Sequence, residues 1–172
     1  MDECGTHTSM TRTRAWALRG ERAYGRGLRN HGRNTTLIAS MTLEGGMAQA
    51  IAVEGATDAR IFEAYVEGFL APSLSAGQVV LLDNLGVRKT AKVRDLIESS
   101  GAEVRFLPVN SPGLDPIEEA FSETKARHKN AAARIRGALI EAMSEAPAAE
   151  PPDDARGRFA HPGYVPQYQQ RS

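Results

Sequence analysis

Three places in the sequence put carboxylates where they could do chemistry. Asp83-Asn84 follows the aliphatic run Val79 to Leu82, Glu118-Glu119 comes just after Pro116, and Asp2-Glu3 opens the chain. Hard divalent cations such as magnesium take oxygen ligands, usually one or two carboxylates together with water and a substrate phosphate. A third carboxylate would allow two ions about 3.5 to 4 Å apart, one activating an attacking oxygen and the other stabilising the leaving oxygen of a phosphodiester. Each spacing also has a purely structural explanation. Asp83-Asn84 reads equally as a strand-to-loop turn in which the side chain bonds its own backbone. Asp115-x-x-Glu118 fits a capping box, with the glutamate reaching back to the cap residue. These spacings alone leave both readings open.

The elements that would have to position these groups alternate between two periods. Thr35 to Met41 is short, β-branched and bounded by Asn34, and Met47 to Val53 follows the Gly45-Gly46 pair, which predicts a β-hairpin. From Asp58 the period becomes helical: Ile61, Phe62, Tyr65, Val66, Phe69 and Leu70 recur on one face, Thr57 or Asp58 can cap the start, and Pro72 ends the run. Val79 to Leu82 is an unbroken aliphatic stretch of central-strand type. Ala91, Val93, Leu96 and Ile97 mark a second helix that Gly101 can terminate, and Val104 to Leu107 reads as another strand. A third helix begins at Pro116 behind Asp115 and runs to about Met143, with Gly137 as a break point. Residues 147–172 turn to Pro, Gly, Gln and Asp and read as a loosely attached tail with Phe159, Tyr164 and Tyr168 as anchors, which leaves 1–146 as the domain. The order implies an α/β fold: a mixed sheet with an antiparallel hairpin on one side and helices on both faces. Ligands of such sheets gather at the carboxyl ends of parallel strands, where Asp83 falls.

Composition bounds the rest. A chain of 172 residues, 41% hydrophobic, supports one domain with a real core. Lys plus Arg equals Asp plus Glu at 21 each, but the charge is uneven. Residues 1–34 carry seven arginines (Arg12, Arg14, Arg19, Arg22, Arg26, Arg29 and Arg33) against three acids, and Lys125, Arg127, Lys129, Arg134 and Arg136 form a second basic zone. Two basic zones around an acidic-leaning middle fit a polyanion lying along one side, and also fit two solvated faces. Cys4 has no partner for a disulfide. With no apolar run of membrane length, the cytoplasm is the expected compartment and a membrane is not an expected partner. His7, His31, His128 and His161 show no zinc-site spacing, and no Gly-rich phosphate cradle is present.

The stretch 79–121 resolves the ambiguity between turn and site. An apolar strand ending in Asp83-Asn84, a helix, a strand ending in Phe106-Leu107-Pro108, and then Ser111-Pro112-Gly113-Leu114-Asp115-Pro116-Ile117-Glu118 resemble the DDE-superfamily endonuclease domain of bacterial insertion-sequence transposases of the mariner-like superfamily. The 34 residues between Asp83 and Glu118, numbers 84 to 117, match that superfamily's spacing. Asp2-Glu3 looks like its first catalytic Asp with the usual neighbour, and the resemblance runs on through the Trp16 and Gly20 region to Gly163-Tyr164.

The resemblance implies a ribonuclease-H-like sheet on which Asp2, Asp83 and Glu118 are catalytic ligands of Mg2+ or Mn2+, two ions when the site is complete. It also implies DNA cleavage and strand transfer at transposon ends, with DNA as partner and a homodimer as the assembly. Asn84, Glu119 and Ser111 would support the ligands, with Glu119 a second candidate for the ligand itself, while Arg12, Arg14, Arg88, Lys89, Lys125 and Lys129 would contact DNA. Arg88 stands where family members commonly carry a His, and a fixed cation can contact phosphate but cannot shuttle protons near neutral pH. Met1 directly precedes the first ligand, so the expectation is an N-terminally truncated domain, its first strand missing or partial, Asp2 loosely held and activity poor. Two rival readings follow: a catalytically dead remnant that binds DNA or another partner, and a stand-alone ribonuclease-H-like nuclease.

Overall fold

The strand buried on both faces organises this protein. In a computed structural model, which describes residues 1–7, 15–24, 34–43, 46–131 and 152–164, β2 (Thr35–Thr42) has its first six residues buried. It pairs antiparallel on one side with β1 (Asp2–Thr6) and on the other with β3 (Gly46–Glu54), as the expected hairpin requires. Side chains alternate across it. Leu37 and Ala39 join Cys4 and Met47 on one face, and Ile38 faces the opposite way. The register slips between Ile38 and Ser40, opposite Gln49, whose φ of 46° marks a bulge. The Gln49 carbonyl turned out by that bulge accepts a hydrogen bond from the Tyr65 hydroxyl at 2.5 Å.

The second part of the sheet is the parallel pair β4 (Val79–Leu82) and β5 (Glu103–Phe106). Met1 N donates to Leu81 O at 2.9 Å, which sets the start of β1 beside β4. The three-stranded sheet in the order β3, β2, β1 therefore has its β1 end next to the two-stranded pair β4 and β5. β1 is short, yet it is not a fraying end. Asp2 is 6% exposed and sits opposite Ala39, so the expectation that it would be loosely held is corrected by a ladder that only the folded chain reveals.

Helices cover both faces. α1 (Ala59–Tyr65) starts where Asp58 Oδ1 accepts from Ile61 N at 2.9 Å, so Asp58 and not Thr57 is the cap. It continues through a π turn (Val66–Leu70) into a last turn at Ala71–Ser73. The extra residue of the π turn rotates Phe69 out of the face its spacing predicts: it is 44% exposed and stacks on Tyr65 at 5.9 Å, while Phe62, Val66 and Leu70 are buried. α2 (Ala91–Glu98) is capped by Thr90 and stopped at Gly101, whose φ is +80° and where a Cβ would come within 2.9 Å of Ala76 Cβ. Together α1, its π turn, α2, β4 and β5 enclose Phe62, Tyr65, Leu82 and Ile97.

The other face is closed by α3 (Pro116–Ala131), whose Ile117, Ala120 and Phe121 pack on Cys4, Leu37, Ala39 and Met47. Gly137 and the expected end near Met143 lie outside the described residues. The region read as a loose tail contains α4 (Pro152–Ala160), which packs against α3 and β3. Arg158 Nη2 meets Glu123 Oε2 at 3.0 Å, and the Tyr164 hydroxyl donates to Leu114 O at 2.9 Å, so anchoring goes beyond a few aromatics. Tyr168 lies outside the described residues. Trp16, Leu18 and Tyr24 are exposed on the surface segment 15–24.

Cys4 offers a direct check of this packing. It is fully buried, and that burial pushes its thiol up to about 11. With a thiol-reactive dye at pH 8, the native protein should react about a hundredfold more slowly than the denatured one. Equal rates would mean that α3 does not cover β1.

Candidate functional site

The carboxyl end of β4, the start of β1 and the start of α3 meet at one cleft of about 250 Å³. Asp2, Asp83, Asn84, Asp115 and Glu118 line it together with the loop from Leu107 to Pro112. Each carboxylate arrives by a different local cause. Asp2 shares the face of β1 that carries Cys4 and so points toward α3. Asp83 is the first residue past β4, and its Oδ1 accepts from Leu85 N at 3.1 Å, which is the turn bond of the structural reading. Glu118 stands in the first turn of α3.

The capping alternative for Glu118 is only half realised. Asp115 does cap α3, with Oδ1 accepting from Ile117 N at 3.3 Å. In a full capping box the glutamate would accept from the Asp115 backbone N–H, but that group donates to Pro112 O at 3.1 Å. Glu118 is thereby left for the cleft, where its carboxyl is pushed above its ordinary range by partial burial, with the Asp2 carboxylate adding to the shift and Lys125 opposing it. Glu119 turns the other way and meets His161 Nδ1 at 3.1 Å. Of the two adjacent glutamates, Glu118 is the one brought to the other carboxylates.

Arg88 sits in the middle of this cluster. It is the last residue of a 3-10 turn (Gly86–Arg88) between β4 and α2, and it is 3% exposed. One guanidinium nitrogen, Nη1, lies 2.5 Å from Asp2 Oδ1 and 2.6 Å from Asp83 Oδ1, and Nε lies 3.7 Å from Glu3 Oε1. The guanidinium carbon stands 5.7 Å from the centroid of the Phe62 ring. Neither Nη1 nor Nε makes an aligned hydrogen bond, so position and charge hold the group more than directed donors do. Three carboxylates and an aromatic face draw the Arg88 side chain inward. Glu3 is pushed up by burial, against the pull of Arg88.

The other site residues fall as follows. Asn84 lines the cleft with its buried Oδ1 lacking a hydrogen-bond partner, and Ser111 lines it with Oγ donating to Val109 O at 3.5 Å. Lys125 is half-buried beyond Glu118 on α3, and Lys89 is exposed with its ammonium 5.6 Å from the Phe106 centroid. Arg12, Arg14 and the side chain of Lys129 lie outside the described residues. The spacing argument missed Asp115 as a wall of the cleft; it is buried, its Oδ2 is unpartnered, and burial pushes its carboxyl up.

A divalent ion held by Asp2 and Asp83 needs their facing oxygens free, and here one arginine nitrogen contacts both. Among the described residues no group of three or more His, Cys, Asp or Glu side chains has a metal-holding arrangement. As arranged, the donor set does not fit the ion.

A family profile described as DDE superfamily endonuclease matches residues 1–140. The chain belongs to the DDE superfamily of endonucleases. Its fold is that of mariner-like DDE transposases, with the ribonuclease-H-like sheet that the superfamily resemblance implied. Among solved structures it is similar to a Mos1 transposase paired-end complex with left transposon end (TM-score 0.72, 17% identity, 94% of this chain and 50% of that one). It is also similar to the Mos1 strand transfer complex (TM-score 0.71, 18% identity, 93% and 49%). A Mos1 mariner paired-end complex with Mn gives a TM-score of 0.68 at 18% identity, over 94% and 51%. The DDE chain thus spans about half the length of these transposases. No curated protein sequence matches it.

Because the raised Glu118 carboxyl favours its protonated form in the fold, that contribution to stability is full below the ordinary glutamate value of 4.5 and is lost as pH rises through the elevated one. Glu118→Gln removes the titration. The variant should therefore melt above the wild type at pH 7 to 8, with the gain disappearing near pH 4. A difference in melting temperature that is the same at both pH values would contradict this placement of Glu118.

Proposed function

We propose that this chain works as a DNA-binding domain of transposase descent, in which the carboxylate cleft does not cut DNA as it stands. The observation that carries this reading is the single Arg88 nitrogen between Asp2 and Asp83. Phosphodiester chemistry of the two-ion kind needs those oxygens for metal, and its loss removes the charge stabilisation on which the attacking and leaving oxygens depend. The cluster of Asp2, Asp83 and Glu118 is then a retained architecture with altered use.

Support for DNA comes from two directions. The related Mos1 structures are complexes named for a transposon end and for strand transfer, and this chain shares their fold. This chain also has Lys125 near Glu118 and an exposed Lys89 just past Arg88, with the arginine-rich segment 8–33 beyond the described residues apart from 15–24. The paired-end complexes are also the ground for including a second copy of the chain among its partners. No helix among the described residues is long and apolar enough to cross a membrane.

Fluorescence anisotropy with a labelled duplex, alongside a supercoiled-plasmid nicking assay in Mg2+ or Mn2+, tests both halves. Binding should weaken about tenfold or more between 50 and 200 mM salt, because released counterions drive it. The Lys89→Ala/Lys125→Ala variant should bind more weakly, and plasmid should remain supercoiled. Metal-dependent nicking that Asp83→Ala abolishes would replace this reading with that of an active transposase catalytic domain. Binding indifferent to salt would remove DNA as the partner.

A further inference from the structure

Arg88 is unusual among the buried residues because its charge is more than balanced locally. One guanidinium faces Asp2 and Asp83 through the same nitrogen, with Glu3 3.7 Å from Nε. The two contacts bound the separation of Asp2 Oδ1 and Asp83 Oδ1 at 5.1 Å, the sum of 2.5 and 2.6 Å. Two carboxylate oxygens that close repel strongly in a half-buried cleft unless a cation lies between them. Any bound divalent ion would answer the same need, with metal–oxygen bonds of about 2.0 to 2.1 Å for magnesium, so guanidinium and ion compete for one place.

We propose that Arg88 is the resident counter-cation of this cleft: it takes the place of a divalent ion between Asp2 and Asp83, and removing its guanidinium creates a metal site in this chain. The inference deepens the reading of a non-cutting DNA-binding domain and rests on it, since both depend on where Arg88 sits. Two features favour exclusion over simple coexistence. Arg88 is 3% exposed and wedged against the Phe62 ring, so swinging it out would uncover that ring and give up its contacts with Asp2 and Asp83. Its Nη1 and Nε have no aligned hydrogen bond, so an ion with directed Asp ligands would lose nothing in geometry by replacing it. The remaining carboxylates at the cleft, Glu118 and Asp115, the latter also near the buried Met1 ammonium, supply further oxygens once the guanidinium is gone.

The test is Mn2+ binding, followed by the loss of the free-ion electron paramagnetic resonance signal, on the full chain and three variants: Arg88→Gln, Arg88→Lys, and Arg88→Gln with Asp83→Asn. Melting curves with and without Mn2+ and duplex-DNA anisotropy are recorded on the same samples. Arg88→Gln should bind Mn2+ about tenfold or more tightly than wild type, and added Mn2+ should raise its melting temperature but not that of wild type. Arg88→Lys keeps a cation and should remain without the site, and the double variant should lose it. If Arg88→Gln is unfolded without metal, Arg88→His replaces it, with the same expectation for Mn2+.

Wild type that binds Mn2+ as tightly as Arg88→Gln, through Asp83, would overturn the inference, because the guanidinium would then yield to the ion. Absence of binding in all variants, folded by their melting curves, would overturn it equally. DNA binding separates the two levels of the argument: salt-sensitive anisotropy that persists while the metal result fails leaves the domain's DNA reading standing and removes only the role of Arg88.

Discussion

A buried cation facing clustered carboxylates is the constraint around which this fold is arranged. Taking a guanidinium out of water costs several kcal/mol unless opposite charge and polarisable surface meet it. Asp2, Asp83 and, farther off, Glu3 provide the charge, and the ring of Phe62 provides the surface. Those groups come from β1, from the end of β4 and from α1. One side chain therefore ties together the short first strand, the parallel pair and the helix that covers them. Where its neighbours are not neutralised, the strain appears as carboxyls pushed up by burial, at Glu3, Asp115 and Glu118.

That arrangement keeps the form of a DDE endonuclease cleft while placing a protein cation between two of its carboxylates. The fold places three carboxylates at one cleft because β1, β4 and α3 must meet there for the sheet to be covered on both faces. What such a cleft does depends on which cation it holds, and a cation attached to the chain cannot exchange, coordinate water or leave with product. A single residue between β4 and α2 thus sets which charge lies between Asp2 and Asp83.

Much of the site was legible in the sequence, for local reasons. An unbroken aliphatic run predicts β4, and so places Asp83 at its carboxyl end; Pro116 behind Asp115 predicts where α3 begins, and so where Glu118 stands. What was not legible depends on partners distant in the chain. Asp2 is held because β1 pairs with a strand more than thirty residues away and because Met1 reaches Leu81, and no local pattern announces either. That Glu118 and not Glu119 faces the cleft follows from His161 meeting Glu119 and from Pro112 taking the Asp115 N–H. Phe69 left its expected face because a π turn shifts the helical phase. Arg88 looked like a phosphate contact from its type and neighbours; its inward course follows from three carboxylates that converge only after folding.

The central claim is that Arg88 and the Asp2 carboxylate form one energetically coupled unit in the interior of the cleft. A double-mutant cycle measures this most directly: wild type, Arg88→Met, Asp2→Asn and the double variant, each unfolded by urea at pH 7. Breaking one side of a buried pair leaves the other charge uncompensated, so the double variant should lose less stability than the two single variants' losses added together, with a coupling of at least about 1.5 kcal/mol. The coupling should persist in high salt, since a pair this buried is poorly screened. A coupling below about 0.5 kcal/mol, or one that salt abolishes, would place the guanidinium at the solvent edge and contradict the account.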